Sequence, residues 1–177
     1  MRPGTSIVIA AVSLLFFASC KDETPWAQYT SKDGGFSVFM PVNPIKSDKK
    51  IGKQTVHYVS WTPTSLALNK FKLFEVSYTD YAAGVPADTM QINTLLDTAI
   101  AQRKRDFFEG DIGSQPISLN GYRGRAFIYQ PERGNTTTIV KECMVGSRRY
   151  DITVIAKKDY PTNDEINRFF NSFQILR

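Results

Sequence analysis

Histidine and cysteine are the scarcest chemically versatile residues in this 177-residue chain: one histidine, His57, and two cysteines, Cys20 and Cys143. Two cysteines cannot build the disulfide framework that staples a small secreted domain. Hydrolytic triads and zinc sites need histidine in suitable company. His57 instead sits beside Val59 and Trp61 in a predicted strand, where a structural role is expected. There is no His-Glu-x-x-His string, paired-cysteine metal spacing or EF-hand loop, so neither a metal nor a cofactor is expected. Long apolar runs are scarce too. Ile7–Phe17 has eleven residues, short of the roughly 20 needed to span a bilayer. The net charge is only +5, and no nucleic-acid-reading motif is present, so a nucleic-acid partner is not expected. What remains, 42% apolar and 22% charged, suits one folded domain with a real core.

The N-terminus carries an address. Arg2, the apolar run and Ala18-Ser19-Cys20 follow the charged, apolar and small-residue order of a secretion signal, here residues 1–19. Phe17-Ala18-Ser19-Cys20 resembles the bacterial lipobox, in which cleavage precedes a cysteine that carries diacylglycerol; Phe17 replaces the commoner Leu. Several acyl chains anchor stably where one alone is marginal. The alternative is plain secretory cleavage, leaving Cys20 as a free thiol. Lys21-Asp22-Glu23 resembles the surface-export signal of Bacteroidetes lipoproteins, which implies an outer-membrane location facing the exterior. A merely charged tether facing the periplasm is the other reading. Residues 20–25 form the short tether, and a single domain occupies residues 26–177.

Within that domain, Trp26–Ser31 and Phe36–Met40 read as strands around Lys32-Asp33-Gly34-Gly35, a hairpin signal because Asp-Gly and Gly-Gly tolerate positive φ. Thr55–Trp61 and Phe71–Tyr78 follow, the latter placing Phe74, Val76 and Tyr78 on one face. Ile92, Leu95, Leu96, Ala99 and Ile100 form one helical stripe, begun by an Asp88/Gln91 capping pattern and ended by Gly110. A meander comes next: Gln115–Leu119, an Asn120-Gly121 turn, Tyr122–Gln130, Thr136–Val145, a Gly146-Ser147 turn and Arg148–Lys157. A Thr162-to-Glu165 capping box then opens a helix whose Ile166, Phe169, Phe170 and Phe173 are expected to pack in the core. The sum is an α+β fold: a largely antiparallel sheet of about seven strands sandwiched by helices.

Four stretches carry a family resemblance. Tyr29–Pro41 with its Asp33-Gly34-Gly35-Phe36 turn, Val76–Asp80, Leu119–Arg125 and Arg168–Phe173 together resemble the PsbP/Mog1-like proteins of bacteria. The resemblance implies a central antiparallel sheet sandwiched by helices and little chemistry, with no binding motif to carry over.

No catalytic set emerges. Cys143 is expected as an inert core residue. Glu75, Glu109, Asp111 and Glu142 are not singled out by any motif. Arg123, Arg125, Arg148 and Arg149 are a candidate basic patch across adjacent strands, for lipid headgroups, a glycan or a protein, against the reading of an ordinary charged face. Thr89 and Thr98, each in an Asp-Thr-apolar triplet, match the O-glycosylation pattern of Bacteroidetes envelope proteins, although both lie in the predicted helix. The expected function is a lipid-anchored accessory or binding protein with an envelope protein or glycan partner. The alternative is a glycan-acting enzyme whose carboxylates converge only in the fold.

Overall fold

A computed structural model describes residues 24–64, 70–81, 89–107, 113–130, 134–158 and 164–176. Its strands are β1 (Trp26–Ser31), β2 (Phe36–Pro41), β3 (Ile45–Ile51), β4 (Gln54–Trp61), β5 (Phe71–Asp80), β6 (Ser114–Leu119), β7 (Tyr122–Tyr129), β8 (Thr136–Val145), β9 (Arg148–Lys157) and β10 (Gln174–Ile175). Helix α1 spans Thr89–Phe107, and α2 spans Asp164–Ser172. Seven strands form one sheet in the order β3-β4-β5-β9-β8-β7-β6, all antiparallel. This is the α+β architecture expected, with α1 on one face and α2 on the other.

The hairpins arise from local chemistry. Asn120 and Gly121 both take positive φ, 52° and 86°, as a two-residue turn matched to strand twist requires. Gly124 serves a different purpose, because a Cβ there would collide with the Glu142 carbonyl oxygen and keep β7 from closing on β8.

Two features depart from the sequence reading. Strand β3 was absent from it: every residue of Ile-Lys-Ser-Asp-Lys-Lys-Ile is exposed. With no buried face there is no alternation to detect; the strand pairs with β4 along its whole length, Asp48 reaches His57, and its lysines suit a sheet edge. The second departure is layering. The β1-β2 hairpin leaves the main sheet and joins β10 in a separate three-stranded sheet.

That small sheet packs with α2 on the face carrying Phe74, Val76, Tyr78, Tyr150, Ile152 and Val154. The interface is aromatic. Trp26 meets Phe74 edge-on at 5.0 Å, Phe36 meets Tyr150 at 6.2 Å, and Phe169 meets Phe74 at 5.2 Å. Phe36, Phe74 and Phe169 are fully buried, each contributing about 1.5–3 kcal/mol. The turn of the first hairpin is pinned at one corner. Arg148 grips Asp80 through two bonds of 2.6 and 2.7 Å and donates to the Asp33 carbonyl at 2.9 Å, while the Tyr150 hydroxyl donates to the Gly34 carbonyl at 2.7 Å. His57, stacked on Tyr78 at 4.7 Å with Nδ1 2.8 Å from Asp48 Oδ1, belongs to the same aromatic side. No helix among the described residues is long and apolar enough to cross a membrane.

Candidate functional site

On its opposite face the large sheet is mostly polar across β4, β5 and β9. Antiparallel register places three rows side by side across β4, β5 and β9: Ser60, Glu75 and Thr153; Tyr58, Ser77 and Asp151; Val56, Thr79 and Arg149. Because side chains alternate along a strand, all nine leave the sheet on the same side, away from the aromatic core. Ser77, Thr79, Asp151 and Thr153 are nevertheless buried.

Helix α1 covers this face only in part. Its buried Ile100 packs into a small separate cluster with Phe127 and Val140, on the β7-β8 side. Toward β4 and β5 the helix and sheet diverge, enclosing a cleft of about 1000 Å³. Glu75, Ser77, Thr79, Arg149, Asp151 and Thr153 lie on its floor, and Met90, Thr94, Leu95 and Thr98 of α1 form one wall.

The floor holds an ion pair. Arg149 Nη2 donates to Asp151 Oδ2 at 3.1 Å, with only 17% and 6% of the two side chains exposed. The Asp151 charge beside it raises the Arg149 pKa against the opposing effect of burial. Burial raises the phenol pKa of Tyr81, which also lines the cleft. Glu142, fully buried, stands opposite Asp151 on β8. On the other side of β8, Cys143 is fully buried in the main core, and burial together with these two acids pushes its thiol up to about 12. A neutral, inaccessible thiol is no nucleophile.

The four arginines singled out from sequence do not form one patch. Arg148 lies on the aromatic side, tied to Asp80, whose carboxyl that hydrogen bond holds below its ordinary pKa. Arg149 is in the cleft floor. Arg123 and Arg125 line a second, smaller cleft of about 430 Å³ with Asn93 and Asp97, and Arg125 Nε donates to Asp97 at 3.0 Å. Thr98 is exposed at the cleft wall, its hydroxyl donating to the Thr94 carbonyl at 2.7 Å; Thr89 is the first residue of α1. Cys20, Lys21, Asp22, Glu23, Asp88, Glu109, Gly110, Asp111 and Thr162 lie outside the described residues. Among the described residues no group of three or more His, Cys, Asp or Glu is placed to hold a metal ion.

Sequence reasoning missed the floor. Its signal was present: the alternate positions of β5 (Glu75, Ser77, Thr79) and β9 (Arg149, Asp151, Thr153) are polar in strands sandwiched by helices, where both faces are ordinarily apolar.

No family model matches the chain, and no curated protein matches it. Solved structures do. The solution structure of cyanobacterial PsbP (CyanoP) from Synechocystis sp. PCC 6803 superposes with a TM-score of 0.55 at 10% identity, covering 86% of this chain and 94% of that one. A crystal structure from Bacteroides thetaiotaomicron VPI-5482 gives a TM-score of 0.49 at 10% identity, covering 85% of this chain and 48% of that one. The likeness to CyanoP establishes the fold: this chain has the PsbP/Mog1-like architecture that its sequence resembles.

Proposed function

We propose that this chain is a lipid-anchored protein of the bacterial outer membrane, facing the exterior, that binds a ligand in the cleft between α1 and strands β4, β5 and β9. The observation that carries the binding reading is the cleft itself. A sheet face that could have been apolar is spent on hydroxyls and an ion pair under about 1000 Å³ of open space. Serine and threonine hydroxyls both donate and accept hydrogen bonds, which suits such a floor to a polar ligand. The anchor rests on Phe17-Ala18-Ser19-Cys20, and the outward orientation on Lys21-Asp22-Glu23. Native mass spectrometry of protein gently extracted from its own membranes tests the binding reading. A stoichiometric small molecule is expected on the wild type and not on Thr79→Val. A wild type that carries nothing, and gains no thermal stability from an extract of its own envelope, would overturn it. For the address, radiolabelled palmitate is expected on the wild type and not on Cys20→Ala. External protease is expected to digest the domain in intact cells; protection until lysis would move it to the periplasm.

A second reading has one observation in its favour. Glu75 and Asp151 both line the cleft as diagonal neighbours across β5 and β9, a relation that separates residues by roughly 7–8 Å. Inverting glycosidases space their carboxyls about 6.5–9.5 Å apart. Asp151 is, however, already engaged by Arg149. Hydrolysis of an aryl glycoside that Glu75→Gln and Asp151→Asn each abolish would favour this enzyme; equal background release by all three proteins would dismiss it.

A further inference from the structure

The edge strand β3 stands out by charge. Residues 45–53, which are β3 and its turn into β4, hold four lysines and one aspartate in a chain whose net charge is only +5. Lys46, Lys49, Lys50 and Lys53 are all exposed, and no carboxylate among the described residues forms an ion pair with any of them. The one acid, Asp48, is engaged by His57 at 2.8 Å. Isoleucines flank the run, Ile45 65% exposed at its start and Ile51 52% exposed near its end. Lysines alone suit any sheet edge. Lysines together with apolar side chains left in water are the combination that settles on a charged lipid surface.

Position supplies the second observation. The Val42 amide donates to the Pro25 carbonyl at 3.0 Å, so the tether enters the domain just ahead of β3. Lys46 lies over the Tyr29 ring of β1, 6.0 Å from its centroid. Residues 20–25, even fully extended, reach only about 20 Å, and β3, at about 3.3 Å per residue, is of similar length. An anchor at Cys20 therefore keeps β3 within reach of the headgroups.

Resting on the lipid-anchor reading above, we infer that the exposed edge of β3 is a second membrane contact, seated on the anionic headgroups of the membrane that holds the anchor. The four lysines meet lipid phosphates while their stems lie along the surface, and Ile45 and Ile51 enter the headgroup boundary. Tether residues Lys21, Asp22 and Glu23 are net acidic, so the attraction comes from the domain. The contact fixes one orientation of the domain on its anchor. Lys49 and Ile51 also line the large cleft, so that rim of the cleft is brought to the membrane. A second copy of the chain is a poorer occupant. Centred antiparallel pairing of β3 with itself sets Lys46 against Lys50 and Asp48 against Asp48, and like charges directly opposite oppose pairing.

Co-sedimentation of the unacylated mature chain, residues 20–177 with Cys20→Ser, with lipid vesicles tests this at low ionic strength, where screening is weakest. Each lysine near an anionic surface contributes roughly fivefold in affinity. Vesicles of phosphatidylcholine with phosphatidylglycerol are therefore expected to bind at least about tenfold more tightly than phosphatidylcholine alone. Lys49→Gln/Lys50→Gln is expected to lower that affinity by about tenfold or more. Arg123→Gln/Arg125→Gln removes the same charge from β7 and is expected to leave it nearly unchanged. Ile45→Ser/Ile51→Ser is expected to weaken it severalfold. Equal binding to both vesicles, equal loss in the two charge variants, or no binding at all would overturn the contact. A dimer that Ile45→Ser/Ile51→Ser dissolves would give the edge to a second copy and overturn it too. Palmitate labelling of the wild type tests the anchor separately: a labelled protein whose unacylated chain ignores vesicles keeps the anchor and loses the contact.

Discussion

The two faces of the seven-stranded sheet come from the same strands yet follow opposite rules. Along β5, Phe74, Val76 and Tyr78 point one way and Glu75, Ser77 and Thr79 the other; along β9, Tyr150, Ile152 and Val154 oppose Arg149, Asp151 and Thr153. The first set meets a second sheet and α2 in an aromatic interior with several ring–ring contacts. The second set meets one helix that touches the sheet through a small cluster and leaves a cleft beside it. Stability is concentrated on the aromatic face, and chemistry is available on the face that is not closed.

Substitutions on the two faces should therefore separate sharply. Phe74→Ala is expected to cost about 3–5 kcal/mol, read as a lowered urea midpoint, because it removes a fully buried ring contacting Trp26 and Phe169. Asp151→Asn should also be costly, about 3 kcal/mol, since it strands the Arg149 charge in a buried floor. Replacing both partners by apolar residues of similar volume, Arg149→Met with Asp151→Leu, should recover most of that loss. A double-mutant cycle on urea midpoints checks it, and a double variant as unstable as Asp151→Asn would break the contrast. Arg148→Lys should cost less, about 1 kcal/mol, by replacing a two-bond grip on Asp80 with a point charge.

The same corner sets an acid dependence. The hydrogen bond from Arg148 lowers the Asp80 pKa in the folded state, so the unfolded chain binds the proton more readily. Its stabilisation is complete above the ordinary carboxylate value of 3.8 and is lost as pH falls through the lower folded value. Asp80→Asn should remove that part of the acid transition in urea midpoints measured between pH 5 and pH 2. The smallest signal is a null one: Cys143, held as a thiol up to about pH 12, should not react with Ellman's reagent in the native protein at pH 8. A reactive thiol in the native mature protein would then report Cys20 free of lipid.

How much of this was legible in the sequence follows the same division. Apolar alternation in Phe74-Val76-Tyr78 and the Ile166-Phe169-Phe170-Phe173 stripe identify the aromatic face, because an apolar period has one structural meaning. The Asn120-Gly121 turn was legible for a similar reason, since few residue pairs accept two positive φ values. Strand β3 was not, having no buried side to mark it. The site was half written: Ser77, Thr79, Arg149 and Asp151 are ordinary polar residues, and only cross-strand register turns them into one floor. The arginines show the converse. Arg148 and Arg149 are adjacent in sequence and therefore point to opposite faces, so a patch counted along the chain divides between a structural corner and a cleft.

The most direct test joins stability and ligand retention in one protein, the Ser77→Ala/Thr79→Val double variant. Its urea unfolding should fall by about 1–2 kcal/mol, because each change deletes one buried hydroxyl and no apolar ring, while native mass spectrometry shows the co-purified ligand gone. A loss of stability comparable to that of Phe74→Ala, or a variant that still carries its ligand, would contradict the division of the sheet into a structural face and a binding face.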